Sequence, residues 1–211
     1  MLTASGRPRW SVGAEFSPCR TWRYTLTRTL APAVLPEPPI YGLGPFERLR
    51  TIAFIGLNPS TADETHDDPT VRRCLRFAER WGFERLVMLN IFALRSTDPK
   101  ALRRAEDPIG PENDAYIADR AAHADLVVCC WGVHGLWHAC ARAFPCEGCS
   151  DREVCREAER CWRSPVLTRQ EEVLALLREG GVEPWAFGFT KGGAPKHPLY
   201  LRADAKLVRM P

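Results

Sequence analysis

Lysine is scarce in this chain, and a long apolar run is missing altogether. No stretch approaches the roughly 20 apolar residues of a membrane-spanning helix. The N-terminal segment MLTASGRPRWSVGAEF lacks the apolar core of a secretory signal. A cytoplasmic protein with no membrane partner is therefore expected. Internal repeats and low-complexity tracts are also lacking. Of 29 basic residues only four are lysine. Arginine's planar fork suits phosphate and carboxylate, although a GC-rich genome produces the same bias without function. The net charge of +3 is mild and neither requires nor excludes a nucleic-acid partner.

What is present bounds the fold. With 211 residues, 45% of them apolar, the chain can bury one substantial core, and two full domains would each be too small. A single α/β domain over 1–211 is expected, with 1–50 as N-terminal extension and connector. Residues 31–45, APAVLPEPPIYGLGP, carry five prolines and two glycines, which points to a surface connector.

TIAFIGL (51–57) reads as a buried parallel strand. In DDPTVRRCLRFAERWG, Asp68 is a helix N-cap, Pro69 the first helical residue and Gly82 the stop, with Val71, Cys74, Leu75, Ala78 and Trp81 on one face. Strands are expected at 85–92, 124–132 and 182–189, and helices at 112–123 and 166–179. Alternating strands and helices imply a three-layer α/β/α sandwich around a mainly parallel sheet of about four strands. Ligands in such sheets bind at the carboxyl ends of the strands, so the exits carry the functional argument.

Four exits hold more polar groups than turns need. GLNPSTADETHDDPT (56–70) presents Gly56, Asn58, Pro59, Ser60, Asp63 and His66. A tight turn and a capped helix explain Asn58-Pro59 and Asp68-Pro69, but not Asp63 or His66. Asn90 ends the second strand, followed by Arg95; its amide suits a donor-and-acceptor edge such as a nucleobase, or is a satisfied buried asparagine. Trp131 at the third exit, near His134, is either core or a stacking surface. The fourth, FTKGGAPKHPLYL (189–201), is a rigid irregular loop presenting Lys191, Lys196 and His197.

The motifs FSPCRTWRYTLTR, GLNPSTAD, DDPTVRRC, NIFALRSTDP, DPIGPEND, WGVHG and TKGGAPKHPLYL, in this order over about 16–201, resemble those of the domain of unknown function 1643 family. More distantly the layout is similar to the uracil-DNA glycosylase superfamily. That resemblance implies that Asn58 positions the water attacking the sugar carbon, Asn90 reads the base edge and His197 steadies the anionic leaving base. Charge developing on a base carbonyl needs such a placed donor, and a base in duplex DNA must first be flipped from the stack. Two departures stand out. Ser60-Thr61-Ala62-Asp63 replaces the glycine or aromatic of many glycosylases, and HPLYL replaces a serine-proline segment that grips DNA. The resemblance thus implies nucleobase-directed N-glycosidic hydrolysis on nucleic acid or a nucleotide, as in DNA repair. A non-catalytic nucleotide- or nucleic-acid-binding module is the alternative.

Nine cysteines are many for a reducing compartment. Cys19, Cys74, Cys129 and Cys130 are scattered, the last two in an apolar strand where buried thiols are common. Cys140, Cys146, Cys149, Cys155 and Cys161 follow a C-x5-C-x2-C-x5-C-x5-C pattern in what looks like an insertion, 138–165. Four thiolates hold a [4Fe-4S] cluster or a structural zinc. With a single CxxC, the cluster is the expected cofactor and zinc the alternative. Cys146, Cys149, Cys155 and Cys161 are the expected ligands, and Cys140 the spare. An iron-sulfur redox or sensor protein is a third reading of the whole chain.

Overall fold

A computed structural model describes residues 10–30, 49–98, 100–133 and 168–211. The cysteine segment 140–161, His134 and the connector 31–45 lie outside these residues.

The chain builds β1 (Trp10–Phe16), β2 (Arg23–Leu30), β3 (Thr51–Gly56), α1 (Pro69–Arg80), β4 (Arg85–Asn90), α2 (Lys100–Arg104) and α3 (Asn113–Ala122). There follow β5 (Leu126–Cys129), α4 (Arg169–Glu179), β6 (Trp185–Ala186), a 3-10 turn (Pro198–Tyr200) and β7 (Val208–Arg209). The strands form one seven-stranded sheet in the order β1-β2-β4-β3-β5-β6-β7. β3 pairs in parallel with β4 and β5, and β5 with β6. β1–β2, β2–β4 and β6–β7 are antiparallel.

The α/β class is as expected, but a mainly parallel sheet of about four strands is not what forms. The sheet is larger and mixed, because residues 10–30, read as part of an extension, add a hairpin to one edge and the chain end adds β7 to the other. Thr25, Thr27 and Thr29 give β2 the alternation of a half-buried strand. The expected strand 182–189 shrinks to two residues, since Gly188 adopts φ +91° and turns the chain away.

Side chains of the strands alternate between two buried clusters. Ile52, Phe54, Leu86, Met88, Val128 and Cys130 pack under α1, through Val71, Cys74, Leu75, Phe77 and Ala78. Ala53, Ile55, Val87, Leu89, Val127, Cys129 and Trp131 pack under α3 and α4, through Ile117, Ala121, Val173, Leu174 and Leu177. α1 starts as its sequence predicts. Asp68 accepts from Val71 N at 2.8 Å, Pro69 occupies the first turn, and Gly82 at φ +74° follows the last. α4 starts at a capping box of Thr168 and Glu171.

The chain leaving β3 runs to α1 on one face, and the chain leaving β4 runs to α3 on the other. The strand order reverses at β3, with β4 on one side and β5 on the other, and the crevice at the carboxyl ends of the strands around such a switch point is the usual ligand position in open α/β sheets. Among the described residues no helix is long and apolar enough to cross a membrane.

Candidate functional site at the ends of β3 and β4

Gly56 and Asn90 end the two strands as register partners. The ladder continues past them, with Ile91 N donating to Gly56 O at 3.0 Å and Phe92 N to Leu57 O at 3.0 Å. A Cβ on Gly56 would sit 3.2 Å from Asn90 Oδ1, so glycine lets the Asn90 side chain lie against the β3 backbone.

Asn58 is tied down. Its Nδ2 donates to Ser96 O at 2.8 Å, to Pro59 O at 3.0 Å and to Leu94 O at 3.4 Å. Ser96 N returns a bond to the buried Pro59 through its carbonyl at 2.9 Å. An oxygen in the Nδ2 position would face three carbonyls, so the amide orientation is fixed and Oδ1 is the atom left to accept. Ser60, half-buried, follows in the same loop.

Asn90 is the opposite case. It is 2% exposed and its Nδ2 has no acceptor among the described residues. An unpaired buried donor costs about 1–3 kcal/mol, and such atoms are uncommon enough in folded proteins to need a reason. Its main chain, by contrast, is gripped from the α3/α4 side. Asn113 Nδ2 donates to Asn90 O at 3.0 Å and Ile91 O at 3.3 Å, and Arg169 Nε donates to Ile91 O at 2.8 Å. Arg169 is itself buried and paired with Asp114 and with Glu172, the latter at 3.0 Å.

Arginines from the hairpin complete this end of the sheet. Thr25 pairs with Glu15 while Arg23 pairs with Phe16, so Tyr24 is an extra residue in β2. This bulge lets Tyr24 stack on Tyr116 of α3 at 4.8 Å while Arg23 joins Leu26 and Arg28 on the α1 face. Arg23, 2% exposed, donates to Ala62 O at 2.8 Å, and its Nε has no acceptor among the described residues. Burial pushes its guanidinium down to about 10, opposed by Asp68 and reinforced by Arg95 and Arg28. Arg28 pairs with Asp67 at 2.9 Å and donates to Asp63 O at 2.7 Å. Arg95 lies 5.0 Å over the Phe16 ring, its Nε buried without an acceptor among the described residues. Sequence reasoning misses Arg23 and Arg28. The threonine alternation of β2 is the signal that could have placed them.

Asp63 serves its own loop. Its carboxylate accepts from Thr65 N and His66 N, both at 2.8 Å, and from Thr65 Oγ1 at 3.1 Å, and is held below the usual carboxylate range by these bonds. His66 is exposed beside it.

His197 caps the Pro198–Tyr200 turn. Its Nδ1 accepts from Leu199 N at 3.3 Å, which leaves the ring proton on Nε2. Burial holds its pKa below the ordinary value, and Asp68 opposes that shift. Asp68 therefore acts electrostatically on both Arg23 and His197. The exit of β5 supports this loop, with Gly132 N donating to Pro195 O at 3.0 Å.

Trp131 is core. It is 1% exposed in the cluster under α3 and α4, and Nε1 donates to Gln170 Oε1 at 2.9 Å. Its indole lies on the face opposite Asn90, so the stacking reading is corrected; alternation from Val127 through Cys129 puts it there. Lys191 is exposed at the tip of the last loop. The structure thus gathers Gly56, Asn58, Asn90, Asp68, Arg23, Arg95 and His197 at the carboxyl ends of the strands, and leaves Trp131 and Lys191 apart.

Cys74 and Cys129 are buried thiols pushed up by that burial. Among the described residues no group of three or more His, Cys, Asp or Glu is placed to hold a metal. The expected cluster ligands Cys146, Cys149, Cys155 and Cys161, with Cys140, lie outside the described residues.

A family model described as "Protein of unknown function (DUF1643)" matches residues 23–145. No curated protein and no solved structure matches the chain.

Proposed function

Since the chain belongs to the family Protein of unknown function (DUF1643), a description that states no activity, we propose its function from the site itself: a nucleobase-directed N-glycosidic hydrolase. The observation that carries this reading is the buried, unpaired amide of Asn90 beside Gly56 at the carboxyl ends of β3 and β4. An asparagine amide offers both a donor and an acceptor, the pattern of a base edge. The order of Gly56-Leu57-Asn58-Pro59, Asn90 and His197-Pro198 along the strand exits supports a similarity to the uracil-DNA glycosylase layout.

In this reading Asn90 holds the base edge and His197 Nε2–H donates to the base carbonyl on which negative charge gathers. Asn58 Oδ1 orients the water. The glycosidic bond breaks with its electron pair going to the base, the water oxygen bonds the sugar carbon, and the water's proton ends on the released base. Asp68 holds the His197 and Arg23 side of the site in electrostatic balance. The donor set Cys146, Cys149, Cys155 and Cys161 fits a [4Fe-4S] cluster, with zinc as the alternative, in a structural role. A visible absorption spectrum of anaerobically purified protein tests this, and a colourless protein with stoichiometric zinc would overturn the iron-sulfur assignment.

A non-catalytic nucleotide-binding module is the second reading, favoured by the commitment of Asn58 Nδ2 to three main-chain carbonyls. Release of free base from uracil- or damage-containing oligonucleotides and mononucleotides separates the two. The hydrolase is expected to release base, with His197→Ala slowing release about 100-fold or more and Asn90→Ala raising KM and relaxing base preference. Binding without release by the wild type from every substrate would establish the second reading.

A further inference from the structure

The outer face of α1 carries four arginines, Arg72, Arg73, Arg76 and Arg80, against one acid, Glu79. Spaced at one helical turn, they share a side of the helix over about 12 Å. Three of them are held by main-chain carbonyls. Arg72 donates to Asp67 O, Arg73 to Leu201 O, and Arg80 to Ala203 O at 3.0 Å. A carbonyl fixes a guanidinium in place without cancelling its charge, so the face is ordered and still cationic. Arg73 is further fixed 4.8 Å over the Phe77 ring. Arg76 is exposed and makes no ion pair among the described residues. Arg73, Arg76, Phe77, Arg80 and Ala203 line a shallow hollow here. The counter-charge on the facing loop is Asp204, which Arg202 engages at 3.0 Å.

This face is joined to the proposed base site. The Pro198–Tyr200 turn that His197 caps packs on α1. Tyr200 stands 88% exposed on that turn, a large aromatic surface that no described residue covers, beside the carbonyl that receives Arg73. A line of fixed cations next to an exposed aromatic ring is the arrangement that tracks a phosphate backbone while a base stacks.

We propose that α1, through Arg72, Arg73, Arg76 and Arg80 with Tyr200, docks single-stranded nucleic acid and feeds one nucleotide to the crevice at the carboxyl ends of β3 and its neighbours. The nucleotide-feeding half of this inference rests on the base-directed reading of that crevice; the docking half rests on the helix face alone.

The test is fluorescence-anisotropy titration of the full chain with labelled single-stranded DNA and RNA of one sequence, and with the DNA duplex, from low to high salt. Wild type is expected to bind a single strand more tightly than the duplex, with affinity falling as salt rises. Arg76→Glu is expected to weaken binding about tenfold and to lower the salt slope by about 0.7 for each phosphate it leaves unneutralised. Tyr200→Ala is expected to weaken single-strand binding while leaving that slope unchanged. Arg76 and Tyr200 are exposed, and circular dichroism checks that both variants fold. Absence of single-strand binding at low salt, or an Arg76→Glu variant that binds like wild type, overturns the proposal. If docking behaves as expected but no base is released, docking stands and the hydrolase reading falls. If Arg76→Glu releases base from an oligonucleotide as fast as wild type, docking falls and the hydrolase reading stands.

Discussion

The exits of β3 and β4 carry one asparagine each, and the protein treats them in opposite ways. Asn58 gives both amide hydrogens to three carbonyls and thereby sews the loop 94–96 to the loop after β3. Asn90 is more deeply buried and gives its amide hydrogens to no acceptor among the described residues. The first has already committed its donors to folding; the second holds donors that folding does not use. A side chain whose donors are spent within the fold is a brace. One that is placed, shielded and incomplete is the better recognition group, because an incoming acceptor then gains a bond without losing one to water.

That contrast can be broken experimentally, starting from the support beneath Asn90. Arg169→Ala strips the Ile91 carbonyl of its donor and leaves Asp114 and Glu172 without their buried partner, so a loss of about 3–5 kcal/mol is expected in urea denaturation. A loss below about 1 kcal/mol would mean that the turn holds itself. Next comes Asn58. Replacement by Ala should cost about 1–3 kcal/mol, and Asn58→Asp more at pH 7, because a carboxylate would then face three carbonyls. Acidification should narrow the gap between the two variants as the carboxyl protonates and can donate; a gap independent of pH would remove the brace assignment. Asn90→Leu should stay within about 1 kcal/mol of wild type or exceed it, since an unpaired buried donor is lost. A loss above about 2 kcal/mol would erase the contrast.

The smallest effect belongs to His197. Burial sets its folded pKa below the unfolded value near 6.5, so the unfolded chain binds more protons as pH falls through that range, and stability falls with it. Protonation of Nδ1 also removes the acceptor for Leu199 N. The melting temperature of wild type should therefore decline more steeply from pH 7 to pH 5 than that of His197→Asn, which keeps a capping oxygen. Parallel curves would show that the ring is indifferent to its setting.

Much of the parallel part of the sheet was readable, because β3, β4 and α1 are bounded by residues with local meaning. Asp68 and Pro69 open the helix, Gly82 closes it, and Asn58-Pro59 ends a β-branched run. The hairpin was not, because its strands precede a proline-rich stretch and join the rest of the sheet by pairing with β4, a partner some sixty residues downstream. Asn90 was legible as a candidate, being a lone amide in an apolar strand end. What Asn58 does was not, since Leu94 and Ser96 lie 36 and 38 residues away and nothing local encodes that pairing. Arg23 escaped because its side depends on a bulge, which changes the alternation rule at one position only. Trp131 was decidable by alternation, and its place at a strand exit pointed the other way.

The bulge at Tyr24 has a consequence for anyone shortening or grafting this hairpin. It works as a parity bit: one residue of chain decides whether odd or even positions upstream of Thr25 look toward the crevice. Deleting Tyr24 would restore a plain pleat in which Arg23, now next to Thr25, still shares the side of Leu26 and Arg28, while the ring that stacks on Tyr116 is lost. The extra residue thus gives the hairpin an aromatic contact with α3 while leaving the guanidinium at the crevice, whereas flattening the bulge at constant chain length would exchange the two faces upstream of Thr25.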